Sequence, residues 1–387
     1  MIKDELFHFF GINQTVHTAK AGELKFNKHS ALDFLSQYGA SPFGGVHQEL
    51  AVAATSFFTQ PQPILCQPLK AQHAERLKKK LLSICDAAGG QVILSQGGAE
   101  TVEVVIKVAR AATGRPCTIA LEGAFHGKTM GAVQLTSNSD YSDYFGIPND
   151  FVRRLKPGSL DELEADFKAL TKDGKVNSVF VEVIKGEGGM VELPPDWLRH
   201  LEGLCRDANI LFCVDEIQTG LGRTGALLAS RDIGLRPDMI LLSKALGGGV
   251  VPIGACVTAE GILPPDFTIF HSATFANNNF TSFIACETLD VIERGLPHTR
   301  RSAAYLDVAL RALVLRNRDV FSHISGRGLM RGLHLRETHD ANSIVSNFQW
   351  ETGLRSYAIS AWLLREQELL TMPCFSKPSC LRLQPPL

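Results

Sequence analysis

Little in this sequence points outward. No apolar run approaches the length that a bilayer span needs, and the opening MIKDELFHFF has acidic residues and too short an apolar stretch for a secretory signal. A cytoplasmic protein is the expectation. Neither sign of charge is in excess: 39 Lys and Arg stand against 40 Asp and Glu, a net charge of −1. There is thus no broad basic field to gather nucleic acid or an anionic membrane. The 9 cysteines are odd in number and scattered, with no C-x-x-C pair. That excludes a disulfide framework, leaves free buried thiols in a reducing compartment, and gives no reason to expect a metal site. Internal repeats and low-complexity linkers are absent as well. What remains is ordinary globular composition, 45% hydrophobic and 20% charged over 387 residues, enough to bury a large core and to hold more than one structural unit.

Along the chain, short apolar runs alternate with amphipathic segments, the pattern of a mostly parallel sheet covered by helices. Two of these runs end in chemistry. MILLSKALGGG (Met239 to Gly249) reads as a buried strand, a single lysine, Lys244, and a glycine run. Upstream, ILFCV (Ile210 to Val214) ends in Asp215 and Glu216. In open α/β sheets ligands bind beyond the carboxyl ends of the strands, so an amine and a carboxylate at such ends face a site. A lysine in a dry pocket loses its proton and can form a Schiff base with a carbonyl, and an acid can hold a pyridinium nitrogen protonated. Taken singly, each would be read as a snorkelling lysine or a capped turn. Together they make the pair that pyridoxal phosphate chemistry uses.

Two glycine patterns nearby are decoys. Gly123-x-x-x-Gly127-Lys128-Thr129 is one residue short of phosphate-loop spacing. Gly220-x-Gly222-x-x-Gly225 fits the dinucleotide fingerprint, but it is displaced from its strand and preceded by Asp215 and Glu216, which repel a pyrophosphate.

VDEIQTGLGRTG, then SKALGGG, then HSATFANN together resemble the class III aminotransferases of the ornithine, acetylornithine and GABA type, from about Ala31 to Leu387. The resemblance implies an α/β protein of fold type I, a pyridoxal 5′-phosphate-dependent transferase with a large, mostly parallel sheet domain and a smaller α+β domain. It implies residues 1–45 as an N-terminal segment packing with the small domain, 46–285 as the cofactor-binding domain and 286–387 as the small domain, trimmed or unusually short at Leu387. FLSQYGASPFGG, GRTGALLA and SKALGGGVVPIGA also look like aminotransferase modules of polyketide or peptide assembly lines, which raises a carrier-bound acceptor.

Site roles follow from the same resemblance. Lys244 forms the Schiff base and then shuttles the proton, while Asp215 holds the ring nitrogen. Gly98 and Ala99 open a helix whose free amides take the phosphate; the family usually has a serine where Gly97 stands. Phe125 stacks on one ring face with His126 beside it, Ile217 lies on the other face, and Gln218 reaches the ring hydroxyl. Glu182 and Glu187 match a Glu-Pro-x-Gln-Gly-Glu pattern from which Val183 and Lys185 depart, Lys185 bringing a cation near the site. Arg382 in CLRLQPPL is the carboxylate-binding arginine, with Glu187 as its partner when no α-carboxylate is bound. Thr274 crosses a homodimer interface to the partner's cofactor. Tyr38, Ser41 and Phe43 shape the mouth. The activity implied is transfer of an amino group from a glutamate-like donor to an aldehyde or ketone. Decarboxylation, amino-group migration or elimination on the same fold, an NAD-dependent oxidoreductase, or an inactive binding scaffold stay open at this stage.

Overall fold

The computed structural model describes residues 3–27, 29–336 and 353–387. Its centre is a seven-stranded sheet, built in chain order from β1 (Gln91–Ser95), β2 (Cys117–Leu121), β3 (Val152–Leu155), β4 (Val176–Val181), β5 (Leu211–Asp215), β6 (Met239–Leu242) and β7 (Gly254–Thr258). Across the sheet the order is β1-β7-β6-β5-β4-β2-β3. β7 runs antiparallel to both of its neighbours, and the remaining pairings are parallel. Strands covered on both faces read as continuous apolar runs, as MILL in β6 does, with every residue buried.

Side chains of one strand alternate between two cores, as a period of two requires. In β5, Phe212 and Val214 pack with Trp197, Leu198 and Leu201 of helix Pro195–Asp207. Cys213 between them packs with Val102, Val105 and Ala109 of helix Gly98–Thr113 on the other face. The polar residues within β4 are satisfied internally: Asn177 Oδ1 accepts from Thr118 Oγ1 at 3.0 Å, and Asn177 Nδ2 donates to the Arg115 carbonyl at 2.9 Å.

A second sheet is antiparallel and four-stranded, in the order Phe321–Arg327, Met330–Leu335, Lys377–Leu383, Met372–Cys374. Leu310, Leu333, Leu335, Leu381 and Leu383 form its core, with Ile359 and Leu363 of helix Leu354–Glu366 packed against them. A third small sheet joins Thr18–Lys20, Glu23–Lys25 and Ser30–Asp33 to Leu369–Leu370, so the N-terminal and C-terminal parts of the chain share backbone hydrogen bonds.

One element departs from expectation. Phe280 to Ile292 and the RRSAAYLDVALRALVLRN stretch read as separate helices, yet a single 38-residue helix, Asn279–Arg316, runs through both with Pro297 inside it. Each half has its own anchorage: Leu289 and Ile292 are buried beside the large sheet, and Leu310 in the core of the small one. Packing at both ends outweighs the single amide bond that a proline removes. No described helix is long and apolar enough to cross a membrane.

Candidate active site

Register brings the lysine and the acid together. Asp215, the last residue of β5, pairs with Leu241 of the adjacent parallel strand β6, and Lys244 follows just past the end of that strand. Lys244 has φ of +45°, a left-handed backbone rarely taken by a non-glycine residue and held here at some conformational cost. Ser243 before it is fixed by its hydroxyl, which donates to the Ile253 carbonyl at 2.8 Å. Both strand ends open into a cavity of about 420 Å³.

Of the residues given cofactor, catalytic or substrate roles, Gly98, Ala99, Phe125, His126, Glu182, Glu187, Asp215, Ile217, Gln218 and Lys244 line that cavity. Asp215 is buried; its Oδ2 lies 2.7 Å from His126 Nδ1 and its Oδ1 accepts from the Ile217 amide at 3.0 Å. Glu216 turns the other way and accepts from the Ser230 amide at 2.6 Å. Glu182 clamps the loop that carries Phe125, accepting from the Phe125 amide at 2.9 Å and from the Gly186 amide at 3.1 Å. Gln218 Nε2 donates to the Tyr38 carbonyl at 3.0 Å.

Burial sets the electrostatics. Desolvation, aided by the Arg382 charge, lowers the Lys244 ammonium to about 8, although Asp215, Glu187 and Glu182 pull the other way. Desolvation likewise pushes Glu182 up to about 7, with the His126 ring opposing and the Asp215 carboxylate reinforcing the rise. At pH 7 most of the Lys244 amine is therefore still protonated, the free base prevailing only above about pH 8, and the Glu182 carboxyl is close to half-protonated.

Arg382 does not line the cavity; it lies wholly buried behind it, its Nη2 donating to Glu187 Oε1 at 2.6 Å. Its guanidinium carbon stands 5.0 Å from the centre of the Tyr38 ring. The Arg382 Nε and Nη1 have no hydrogen-bond partner among the described residues. Lys185 does not interfere with this pair: its Nζ donates to the Glu122 carbonyl at 3.1 Å, against Gly123. Thr274 is exposed and apart from the cavity lining. Of the three mouth candidates, Tyr38 lines the main cavity, Ser41 lines a second one of about 470 Å³ on another side of Lys244, and Phe43 packs in the core and against His47.

Sequence reasoning missed much of the outer wall. Phe7, Lys128, Tyr141, Tyr357 and Phe375 all line the cavity. Tyr141 comes from the short helix Asp140–Asp143, Phe7 from the N-terminal helix Lys3–Phe9 and Phe375 from a hairpin tip. Lys128 was met only as part of a failed phosphate-loop pattern, a cationic residue beside the Phe125 loop that could have been followed further. The dinucleotide pattern gains nothing from the structure: after β5 the next helix is the short Ala229–Asp232, and Arg223 within the pattern is buried with its Nη1 on the Leu329 and Pro385 carbonyls.

The residues present fit pyridoxal phosphate at each of its functional groups. Helix Gly98–Thr113 starts from Gly97 with no side-chain cap, leaving leading amides for an anion. A Cβ on Gly98 would lie 3.1 Å from Ile217 Cγ2, so the glycine keeps that gap open for a ligand. His126 Nε2 is a buried ring nitrogen with no hydrogen-bond partner among the described residues. Lys244 supplies the amine for an aldehyde, and Asp215 a buried carboxylate for a protonated ring nitrogen.

A sequence model of the Aminotransferase class-III family matches residues 24–386. Aminotransferase PigE of Serratia sp. (strain ATCC 39006) is 33% identical over 315 residues, 79% of this chain and 36% of PigE, so the chain spans about a third of that relative's length. Acetylornithine aminotransferase of Aquifex aeolicus (strain VF5) is 32% identical over 321 residues, 80% of either chain. Among solved structures, the ornithine aminotransferase of Toxoplasma gondii ME49 superposes with a TM-score of 0.81 at 25% identity, covering 100% of this chain and 90% of its own.

Proposed function

The chain belongs to the class III aminotransferases, fold type I enzymes that depend on pyridoxal phosphate, and from that premise we propose that it moves an amino group from an amino acid such as glutamate to an aldehyde or ketone. The observation that carries the reading is the Lys244 and Asp215 pair at adjacent parallel strand ends, opening into one cavity. Pyridoxal phosphate, when bound, supplies an aldehyde for the amine and a ring that accepts electrons. Gly98 and Ala99 would present helix amides to its phosphate and Phe125 and Ile217 would bracket its ring, with Gln218 in the same lining. Asp215 would set its negative charge at the ring nitrogen, and His126, whose Nδ1 lies 2.7 Å from Oδ2, fixes the carboxylate's orientation.

Lys244 then acts as a base and an acid. A free amine near pH 8 takes the proton from the donor's α-carbon at Nζ and would pass it to the bound cofactor within the same half-reaction, and the reverse transfer through Nζ puts a proton on the acceptor carbon. The left-handed turn at Lys244 aims that one nitrogen into the cavity. Arg382 binds the donor's α-carboxylate once Glu187 swings off its Nη2, and Glu187 pairs with it again when an acceptor lacking that carboxylate enters. The acceptor presents the same carbonyl to Lys244 whether free or tethered to a carrier protein.

We read the working enzyme as a cytoplasmic homodimer in which Thr274 reaches the partner's cofactor, with the N-terminal segment 1–45, the cofactor-binding unit 46–285 and the small unit 286–387 as its divisions. The free cysteines support the compartment, and the exposure of Thr274 beside Phe275 supports a covering partner. Borohydride reduction of the cofactor-loaded protein tests the central assignment. The adduct is expected on Lys244, and an adduct on Lys128 or Lys185 would overturn it. Product analysis with glutamate and a carbonyl acceptor separates amino transfer from decarboxylation and elimination.

A further inference from the structure

The carboxylate of Glu187 has two partners. Its Oε1 accepts from Arg382 Nη2 at 2.6 Å, and its Oε2 accepts from the backbone amide of Phe375 at 3.0 Å. Phe375 sits at the tip of the hairpin between Met372–Cys374 and Lys377–Leu383, where Cys374 pairs with Lys377. Its ring lies 5.3 Å from that of Tyr141, which is in turn 5.8 Å from Phe125, so the rings form a continuous apolar wall leading outward from the reaction centre.

This double engagement ties the shape of the wall to the substrate in the site. A donor whose α-carboxylate takes Arg382 displaces Glu187, and with it the contact that fixes the Phe375 hairpin tip. An acceptor without that carboxylate leaves Glu187 on both partners and meets the completed wall. The apolar surface is therefore matched to the acceptor. Resting on the transaminase reading above, we propose that the acceptor is an aldehyde or ketone with an unbranched apolar chain and no carboxylate beside the carbonyl, that its chain lies along Tyr141 and Phe375, and that Glu187 is the positioning residue for this wall. The exchange balances without added oxidant or reductant. The acceptor carbon gives up its oxygen and gains the amino group and a hydrogen, while the donor's α-carbon loses that amino group and hydrogen and ends as a keto group, with water entering and leaving on the way.

Lys128 provides the competing chemistry, because its Nζ stands 4.3 Å from the centre of the Tyr141 ring and could read a carboxylate at the far end of an acceptor. The cofactor-loaded enzyme is first converted with L-glutamate, followed by the cofactor's absorbance, and then mixed in single turnover with butanal, hexanal, octanal or succinic semialdehyde. The expected result is a rate constant that rises about fourfold for each added methylene, the gain from burying one such group, with succinic semialdehyde no faster than butanal. A flat series, or a semialdehyde faster than hexanal, overturns the proposal. Glu187→Gln retains an oxygen for the Phe375 amide and should keep the chain-length dependence, whereas Glu187→Ala should lose it; equal slopes in the two variants overturn the positioning role. Phe375→Ala, at a partly exposed hairpin tip, gives the same test if Glu187→Ala does not fold, and an unchanged slope there removes Phe375 from the wall. No absorbance change with glutamate or any other amino acid is a separate failure, that of the transaminase reading, and the proposal falls with it.

Discussion

Glu187 holds Arg382 at 2.6 Å, the one side-chain ion pair that arginine makes among the described residues. Burial disfavours the Arg382 charge, but Cys374, Glu187 and Tyr38 around it outweigh burial and hold it more firmly protonated than an ordinary arginine. A cation so placed binds whichever carboxylate reaches it, the protein's own or the donor's.

Removing either partner should harm the two half-reactions unequally. Arg382→Ala is expected to raise the Michaelis constant for glutamate by the equivalent of roughly 2–5 kcal/mol, the cost of truncating a buried charge pair. Glu187→Ala should leave glutamate binding intact or tighter while slowing the acceptor half-reaction. Single-turnover measurement of each half decides it, and equal effects on both would show the pair to be structural only.

Lys244 gives a prediction about stability. Its amine titrates at about 8 in the folded chain against an ordinary 10.5, so between those values the unfolded chain binds more protons than the folded one. Stability of the cofactor-free protein should rise with pH across that window, and below it the buried charge should cost about 3 kcal/mol. Lys244→Met removes the charge and keeps the length. Its apoprotein should be the more stable at pH 7 in urea titrations, with the advantage shrinking toward pH 10; a variant less stable than wild type at pH 7 would contradict the lowered pKa.

Asp215 is predicted to matter by charge more than by shape. Asp215→Asn can keep the Ile217 amide contact and a contact with His126, but it removes the negative charge set against the ring nitrogen. Proton abstraction from glutamate should slow by orders of magnitude while cofactor binding persists. Stopped-flow absorbance after glutamate addition measures it, and a rate within about tenfold of wild type would remove Asp215 from the electrostatic role.

The inner half of the cavity was legible because its residues stand where strands end. Lys244, Asp215 and Glu182 each follow an apolar run, and register alone brings the first two together. Arg382 and Glu187 were legible through motif resemblance, since no periodicity links two residues so distant in sequence. The outer wall was not legible. Phe7, Tyr141, Tyr357 and Phe375 come from four separate elements, and none differs in pattern from an ordinary core or surface aromatic. Only tertiary packing places them around one space. Phe280 to Ile292 and RRSAAYLDVALRALVLRN read locally as two helices for a related reason: only the two cores that hold the chain on either side of Pro297 make them one.

The last prediction concerns two neighbouring glycines with opposite tolerance. Gly97 has extended backbone, φ −179°, and a Cβ there would meet nothing within 4 Å. Gly98 is also free of backbone constraint, but its Cβ would press on Ile217 at 3.1 Å and narrow the gap proposed for the cofactor. Gly97 stands at the cap of helix Gly98–Thr113 without a side chain to contribute, where the family usually has a serine. Gly97→Ser should therefore add a hydroxyl that reaches either the first helical amides or the phosphate. The capping effect over glycine is a few tenths of a kcal/mol, whereas a hydrogen bond to a charged phosphate is worth about 1.5 kcal/mol, roughly tenfold in dissociation constant. Equilibrium titration of apoprotein with pyridoxal phosphate should show tighter binding for Gly97→Ser and weaker binding for Gly98→Ala. If the serine instead stabilised the apoprotein while leaving the dissociation constant unchanged, the hydroxyl would be spent on the helix, and the phosphate would have to lie away from Gly97.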